Sequence, residues 1–438
     1  MQHSHEGLDR PGGLATTGLL APLRRRDFRV LWAGMAVSLL GDGIFLVAIA
    51  WETYALWNAP AALSIVGIGM TVPTVLFLLA GGVVSDRCDR RRVMLWADGI
   101  RAASVGLLAF LVVGGALRFW ELVALVAVYG SGTAFFTPAF EAVVPDLLPA
   151  EDLPAANSLD QLVRPVALRL AGPLLGGSLV AITAGLAFAV DAASFAASLV
   201  AVLAIRPRPV VRDEASASAL GAVREGLRFI RRRVWLWGTL VSAAIAYLVF
   251  LGPTEVLLPY VVKNDLHASA GTLGLVFAAG GLGAVGGAVW MGRRGHPRRD
   301  VSLMYAVWTL ATLAVAGYGL ATAAWQLMLA CLVFNGLETA GTIIWTTIKQ
   351  RHVPSAMLGR VSSLDWLISI GLLPVSFALT APVAAAIGVR ATLVGAALVG
   401  AAATLAALLL PGMREIEQER ERTMLPVEAP LPPPEPAG

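Results

Sequence analysis

Charged residues, cysteine and lysine are scarce in this sequence. Of its 438 residues, 14% are charged and 57% are hydrophobic, whereas a soluble domain carries about 25% charged residues. A chain of this length without a polar coat is not a single water-soluble domain, and its hydrophobicity also excludes a disordered chain. Only two cysteines, Cys88 and Cys331, are present, which excludes a disulfide scaffold. The composition predicts a polytopic membrane protein.

Residues that would carry enzymatic chemistry are also scarce. The five histidines lie in separate loops, and no group of His, Asp and Glu has catalytic spacing. The sequence has no Gly-Lys-Ser/Thr phosphate-binding loop, which excludes ATP hydrolysis through such a loop. We therefore expect no metal, no cofactor and no enzymatic activity. A membrane-embedded enzyme or signalling protein is the alternative class, and no motif favours it.

Long apolar runs dominate what is present. A helix needs about 20 mostly apolar residues to cross a bilayer, because lipid offers its backbone no hydrogen-bond partners. Twelve such runs lie at 29–55, 62–84, 93–115, 120–143, 158–182, 185–205, 235–260, 271–292, 302–320, 324–347, 363–387 and 390–410. The sequence thus predicts an all-α membrane protein with twelve transmembrane helices.

Arginine and lysine fall almost entirely on one side of these runs. An even number of spans places both termini and the central loop on the same side. That side holds 27 Lys and Arg residues, and the opposite loops hold three, Arg118, Lys263 and Arg390. Because basic loops stay in the cytoplasm, we expect both termini inside the cell and the protein in the cell (inner) membrane. The net charge of +4 then reflects topology, and we expect no nucleic-acid partner.

The two halves of the chain repeat each other at an offset of 205 residues. Ser158-Leu159-Asp160 falls on Ser363-Leu364-Asp365, Gly81-Gly82 on Gly286-Gly287, and Trp32 on Trp237. Internal duplication is common in secondary transporters. We therefore predict two pseudo-symmetric six-helix halves, with segments at 1–27 (cytoplasmic), 28–205 (first half), 206–233 (linker), 234–410 (second half) and 411–438 (tail).

The linker and the tail differ in pattern. In the linker, Leu220, Val223, Leu227 and Ile230 recur at helical spacing beside arginines, which predicts an amphipathic helix on the inner leaflet. A solvated basic linker is the alternative. The tail ends in a Pro-rich, polar stretch and is expected to be disordered.

The loop after the second span carries a recognisable motif. Gly82, Asp86, Arg87 and Arg90 form a Gly-xxx-Asp-Arg-xx-Arg-Arg pattern, which resembles the signature loop of the major facilitator superfamily. Asp89 replaces the small residue usual there, as in some drug-efflux branches. An ordinary basic loop is the alternative, but it does not require the glycine or Asp86.

The fifth span carries a second motif. Its Gly172, Pro173, Gly176 and Gly177 resemble the Gly-Pro-xx-Gly-Gly antiporter motif of that superfamily's exporters, and a merely well-packed helix is the alternative. Further matches, such as Phe136-Thr137-Pro138-Ala139, extend across both halves. The full pattern is similar to the drug:proton antiporter branch that includes macrolide-efflux and siderophore-exporter proteins. Val126 stands where other branches carry an arginine, so a coupling mechanism built on that arginine does not transfer.

The resemblance implies a function. It implies a secondary exporter that moves a small amphiphilic organic compound (a drug, an antibiotic or a secondary metabolite) outward in exchange for protons, acting as a monomer in the bilayer. An uptake carrier or facilitator of the same fold is the alternative. The antiporter motif favours export.

Ionisable residues inside the spans are candidate coupling and cavity residues, because they are costly there. Asp42 and Glu338 lie about 13 and 14 residues into their spans, roughly 20 Å deep at 1.5 Å per residue. Burial favours a protonated carboxyl group, so each could carry a proton, and a structural hydrogen bond is the alternative for each. Their candidate partners are Arg164 and Arg169.

Four further ionisable residues are assigned lesser roles. Asp98 and Arg101, three residues apart in the third span, predict a local ion pair. Asp191 and Glu255 are placed nearer the outer face and receive little weight.

The resemblance also implies a gate at the cytoplasmic ends of the spans. Asp86 would face the amide end of the eleventh span, and Asp365 would pair with Arg87 or Arg90. On the pseudo-symmetric side, Arg293 or Arg294 would pair with Asp160. Met291 replaces the carboxylate there, so we expect the gate to be asymmetric.

Overall fold

Twelve helices long and apolar enough to span a membrane form the bundle, as predicted. The computed structural model describes residues 20–206, 219–294 and 299–418, and this described part contains no strand. The first six spans, the N half, are Arg26–Leu56, Pro60–Arg87, Arg90–Val113, Phe119–Leu147, Leu153–Ile182 and Ala184–Leu203. The last six, the C half, are Val234–Asp265, Ala270–Arg294, Asp300–Leu320, Ala324–His352, Ser355–Ile387 and Val389–Leu408.

Local sequence explains where several spans begin. Pro60 opens the second span, where its fixed φ suits the first turn and its missing N–H is not needed. The Asp89 side chain caps the third span by accepting a hydrogen bond from Arg91 N at 3.0 Å. Thr183 caps the sixth span in the same way, with Gly185 N at 3.0 Å from its hydroxyl oxygen.

The internal repeat is visible in the helix bounds. The fourth and tenth spans, Phe119–Leu147 and Ala324–His352, differ by the predicted 205 residues at both ends. The glycine contacts of the second and eighth spans do not keep the offset of 205 residues. A methyl group on Gly81 would overlap Ala134 O of the fourth span, and one on Gly287 would overlap Gly336 O of the tenth. The packing equivalent of Gly81 is therefore Gly287, one residue beyond the predicted Gly286.

The linker contains a helix, Ala219–Arg231, that packs on the C half. Its Ile230 is buried in the C-half core, and Glu225 accepts a hydrogen bond from Arg360 at 2.5 Å. Gly226 lies against Leu364 of the eleventh span. The side chains of Leu220 and Val223, and the segments 1–19, 207–218, 295–298 and 419–438, lie outside the described residues.

The packed core shows how the halves meet. We call the end of the bundle that bears the linker helix the linker end, and the other the far end. At the far end, one apolar cluster includes residues of both halves, such as Tyr54, Phe188, Val256 and Phe377. At the linker end, each half has a separate cluster, one around Trp235 and Trp345 and one around Phe28 and Phe136. Among the described residues, the apolar core therefore joins the halves at the far end and is divided between them at the linker end.

Three polar contacts between the halves lie at the same far end. Tyr54 OH donates to Val256 O at 2.6 Å, with both residues buried. Asn58 Nδ2 donates to Asn264 Oδ1 at 2.7 Å, and Lys263 Nζ donates to Trp51 O at 3.3 Å. These bonds link the end of the first span to the end of the seventh.

Candidate functional site

A cavity of about 500 Å³ lies between the halves, below the far-end contacts. Its size suits a drug-sized ligand. Residues of both halves line it, and the aromatic ones are Tyr247, Phe250, Phe277, Tyr318, Phe334 and Phe377. This lining offers rings and aliphatic side chains to an apolar ligand.

Three charged side chains face this cavity. Arg169 comes from the fifth span, Glu255 from the seventh and Glu338 from the tenth. Arg169 donates to Asn335 Oδ1 at 2.9 Å across the interface between the halves, and Glu338 Oε1 accepts from Thr342 Oγ1 at 3.0 Å. With two carboxylates and one guanidinium, the cavity has an excess of negative charge when all three are ionised.

Two of the four predicted cavity residues line this cavity, and two do not. Arg169 and Glu338 do. Arg164 instead donates to Asp160 Oδ2, four residues earlier, at 2.7 Å. Asp42 lies inside the N half and accepts a hydrogen bond from Tyr129 OH at 2.6 Å. The expectation that Asp42 faces the central cavity is therefore wrong for this structure, because the side of the first span that lines the cavity carries Leu46, Ile49 and Ala50.

The surroundings of Asp42 contain a group of buried ionisable residues. Arg101 is hydrogen-bonded to Asp98, which confirms the predicted local ion pair. The Arg101 guanidinium lies 4.2 Å from the ring centroid of Phe136 and 4.4 Å from that of Phe195. Asp191 of the sixth span is fully buried, and Ser194 Oγ donates to its backbone O at 2.7 Å and lies 3.3 Å from its Oδ1.

The antiporter motif mediates close helix contacts on two sides of the fifth span. A Cβ on Gly172 would lie 2.6 Å from Gly43 Cα, and one on Gly176 would lie 3.0 Å from Ile44 Cα, both in the first span. A Cβ on Gly177 would lie 2.9 Å from Ala270 O, in the C half. The glycines thus allow the fifth span to contact both the first and the eighth spans at backbone distance.

A π-helical turn, Pro165–Ala171, precedes this motif. Pro173 has no N–H to donate to the carbonyl of Arg169, four residues earlier. That carbonyl lies against Gly281 of the eighth span. The proline and the π-helical turn therefore place Arg169 at the interface between the halves, where its side chain enters the cavity.

In this structure the gate residues have partners other than those predicted. Arg90 donates to Asp146 Oδ2 at 2.5 Å and to Ala142 O at 3.0 Å. Asp365 accepts from Trp345 Nε1 at 2.9 Å and from Lys349 Nζ at 2.5 Å. Because the two apolar clusters of the linker end are separate among the described residues, the pairing of Asp365 with Arg87 or Arg90 stays a prediction for the closed state.

The other gate residues add one correction. A methyl group on Gly81 would overlap Ala134 O of the fourth span, whereas one on Gly82 would meet no described atom within 4 Å, so Gly81 and not the motif residue Gly82 is closely packed here. Arg87 and Arg293 are exposed. The side chain of Asp86 lies outside the described residues, as does that of Arg294.

Sequence reasoning missed two residues of these sites. Glu255 lines the cavity, and Asp191 belongs to the buried group around Asp42. Their positions along their spans, nearer the outer face than the midplane, give both little weight in the sequence. For Asp191, the signal that could have found it is Gly41, since a small residue next to Asp42 leaves room for a facing side chain.

A twelve-span bundle of two repeated halves with a cavity at their interface defines a secondary transporter of the major facilitator type. The chain belongs to the family described as "Transmembrane secretion effector" (MFS_3), which it matches over residues 17–433. It is an exporter of the major facilitator type, and a multi-pass membrane protein.

Three curated relatives and a solved structure are similar to it. Macrolide efflux protein A of Streptococcus pyogenes is 25% identical over 83% of this chain and 90% of its own length. Multidrug efflux pump Tap of Mycolicibacterium fortuitum is 28% identical over 89% of this chain and 96% of its own length. Enterobactin exporter EntS of Citrobacter koseri is 29% identical over 77% of this chain and 80% of its own length. A bacterial homologue of the iron transporter ferroportin has the same fold, with a TM-score of 0.66 at 17% identity over 90% of this chain and 98% of its own.

Proposed function

We propose that this protein exports a small amphiphilic organic compound by proton antiport, with a preference for compounds that carry a positive charge. The observation that carries the proposal is the cavity between the halves, with an aromatic lining and with Glu255 and Glu338 against a single Arg169. Aromatic faces and carboxylates together favour an organic cation, through cation–π attraction and charge. The named substrates of the relatives, a macrolide and enterobactin, support an organic small molecule.

We further propose that the linker end faces the cytoplasm and that the protein lies in the cell (inner) membrane. The excess of arginine and lysine at that end, 27 against three, supports this orientation. The present structure is then the state open to the cytoplasm, from which an exporter takes up its substrate. Its cavity lies within one chain, so we propose that a monomer is sufficient, and transport requires no covalent step.

Inside-out membrane vesicles test the proposal directly. We expect acid-loaded vesicles to accumulate ethidium, a lipophilic organic cation, and to accumulate the neutral dye Nile red less. Nigericin, which collapses the pH gradient, should abolish the accumulation. Ethidium accumulation that does not respond to the pH gradient would exclude proton antiport. Equal handling of the two dyes would exclude the charge preference.

A further inference from the structure

We propose that Asp191 and Asp42 together hold the transported proton at a site within the N half, separate from the substrate cavity, and that Arg101 is the neighbouring counter-charge. This inference rests on the proposed proton antiport and names its proton site.

The first support is burial without full pairing. Asp98 and Asp191 are each 0% exposed, and Arg101 is 3% exposed. Within the described part of the chain, Asp191 Oδ2 and Arg101 Nε have no hydrogen-bond partner. A buried carboxylate oxygen without a donor is costly when the group is ionised. A proton bound there would remove that cost.

The second support is charge balance. The site has three carboxylates, those of Asp42, Asp98 and Asp191, and one guanidinium, that of Arg101. The guanidinium is hydrogen-bonded to Asp98, and within the part of the chain that the structure describes neither Asp42 nor Asp191 forms an ion pair with a cation. The two interact electrostatically with each other and with Arg101. Two neighbouring carboxylates favour the retention of a proton by one of them.

The third support is that glycines make room for this arrangement. A methyl group on Gly41, next to Asp42, would overlap Asp191 Oδ1 and Ser194 Oγ. A Cβ on Gly132 of the fourth span would lie 2.8 Å from Arg101 Cγ. The first and fourth spans therefore lack side chains where the sixth and third spans insert Asp191 and Arg101. Val126 is the position that carries an arginine in other exporter branches, and Arg101 supplies a buried cation from the third span instead.

Other charged and titratable groups face this site from the neighbouring spans. Tyr129 OH donates to Asp42 Oδ1 at 2.6 Å and favours its ionised form. Arg164 of the fifth span also interacts electrostatically with Asp42, although its hydrogen bond goes to Asp160. Both lie beside Asp42, so Asp191 is the acid with fewer stabilising partners.

A short path connects the proton site to the cavity. A Cβ on Gly43, next to Asp42, would lie 2.9 Å from Ala167 O and 2.9 Å from Leu168 O in the π-helical turn. Leu168 and Arg169 line the cavity. A change in the position of the first span on protonation would therefore act directly on the segment that carries Arg169, so proton and substrate need not compete for one residue.

Proteoliposomes with the full chain test this site. Asp191→Asn and Asp42→Asn are compared with wild type and with the control Glu121→Gln, which removes a carboxylate that only caps the fourth span at the far end. Each is assayed for ethidium uptake driven by a pH gradient and for ethidium counterflow without a gradient. In both aspartate variants we expect the gradient-driven rate of ethidium uptake to fall at least about tenfold and counterflow to be retained. The double variant should show no further loss of the gradient-driven rate. The control should behave as wild type.

The outcomes separate this inference from the proposed function. Wild-type uptake without any response to the pH gradient overturns the proton antiport itself. If the wild type responds to the pH gradient and Asp191→Asn responds equally, the proton site is overturned and the proton antiport is not. If Asp191→Asn also loses counterflow, Ser194→Ala decides, because it removes only the hydroxyl that donates to Asp191 O at 2.7 Å and lies 3.3 Å from Asp191 Oδ1. We expect Ser194→Ala to shift the pH profile of uptake to higher pH, and an unchanged profile overturns the inference.

Discussion

Tyr54→Phe should weaken the far-end closure of the bundle. The Tyr54 hydroxyl donates to Val256 O at 2.6 Å between the halves, and the two residues are 1% and 0% exposed. This bond exists only while the far end is closed, so its loss destabilises that state selectively. A neutral hydrogen bond contributes about 1 kcal/mol net (range roughly 0.5–1.5). We expect the ratio of far-end-closed to far-end-open molecules to fall about fivefold, since about 1.4 kcal/mol corresponds to a factor of ten.

Tyr305→Phe is the matched control for this change. The Tyr305 hydroxyl is equally buried and lies 2.9 Å from Thr239 Oγ1, but both residues belong to the C half. Its bond need not change when the halves move as rigid bodies. We therefore expect Tyr305→Phe to lower the stability of the protein without changing the ratio of the two states.

Distances between spin labels measure the ratio. Ala116 and Ala391 are exposed, lie at the far end and belong to different halves, so cysteines there, in a background without Cys88 and Cys331, report opening. Tyr54→Phe should increase the population of long distances. An unchanged distribution, or an equal change in Tyr305→Phe, would show that the Tyr54 bond does not hold the far end closed.

Three further changes test the cavity, the gate and the far-end packing. Glu338→Gln and Glu255→Gln should each weaken binding of ethidium more than of Nile red, because one charge about 5 Å away is worth roughly 1–3 kcal/mol at effective dielectric constants of 80 to 20. Equal losses for both dyes would show that the carboxylates are structural. Asp86→Asn should shift the population toward molecules open at the linker end by up to about tenfold, from a dipole contact and an ion pair of about 1 kcal/mol or less each. Asp160→Asn should shift this population less. Distances between spin labels on the second and eleventh spans measure both shifts, and a larger shift in Asp160→Asn than in Asp86→Asn would contradict the gate. Gly177→Val should hinder far-end closure, because its Cβ would lie 2.9 Å from Ala270 O and overpacking costs about 1–3 kcal/mol. Full transport activity in that variant would argue against a role for this contact in closure.

Much of the fold could be predicted from the sequence. The twelve spans follow from the length of the apolar runs, and the repeat follows from the common offset, which the fourth and tenth spans keep at both ends. The Asp98–Arg101 pair was predictable because residues three apart on a helix face each other whatever packs around them. Features that depend on one helix alone, or on its length, could therefore be predicted from the sequence.

The candidate site was only partly predictable. Glu338 and Arg169 line the cavity as expected, but Asp42 points into the N half and Arg164 pairs with Asp160. Depth along a helix is readable from residue number, but the direction in which a side chain points also depends on how the helix is rotated about its axis. Residue spacing does not report that rotation.

The sequence by itself determined that this chain is a twelve-span transporter, through hydrophobic length, the distribution of arginine and the motifs of the second and fifth spans. Only the tertiary structure decided which ionisable residues lie close to each other and which line the cavity. Asp191 packs against Gly41, next to Asp42, and Glu255 lines the cavity. The physical reason is the bilayer. Because lipid is as apolar as a protein core, a transmembrane helix does not need a polar outer face, and its sequence does not mark which face turns inward. Close packing of small residues such as Gly41, Gly132 and Gly177 sets that rotation, and it is expressed only when the helices are assembled.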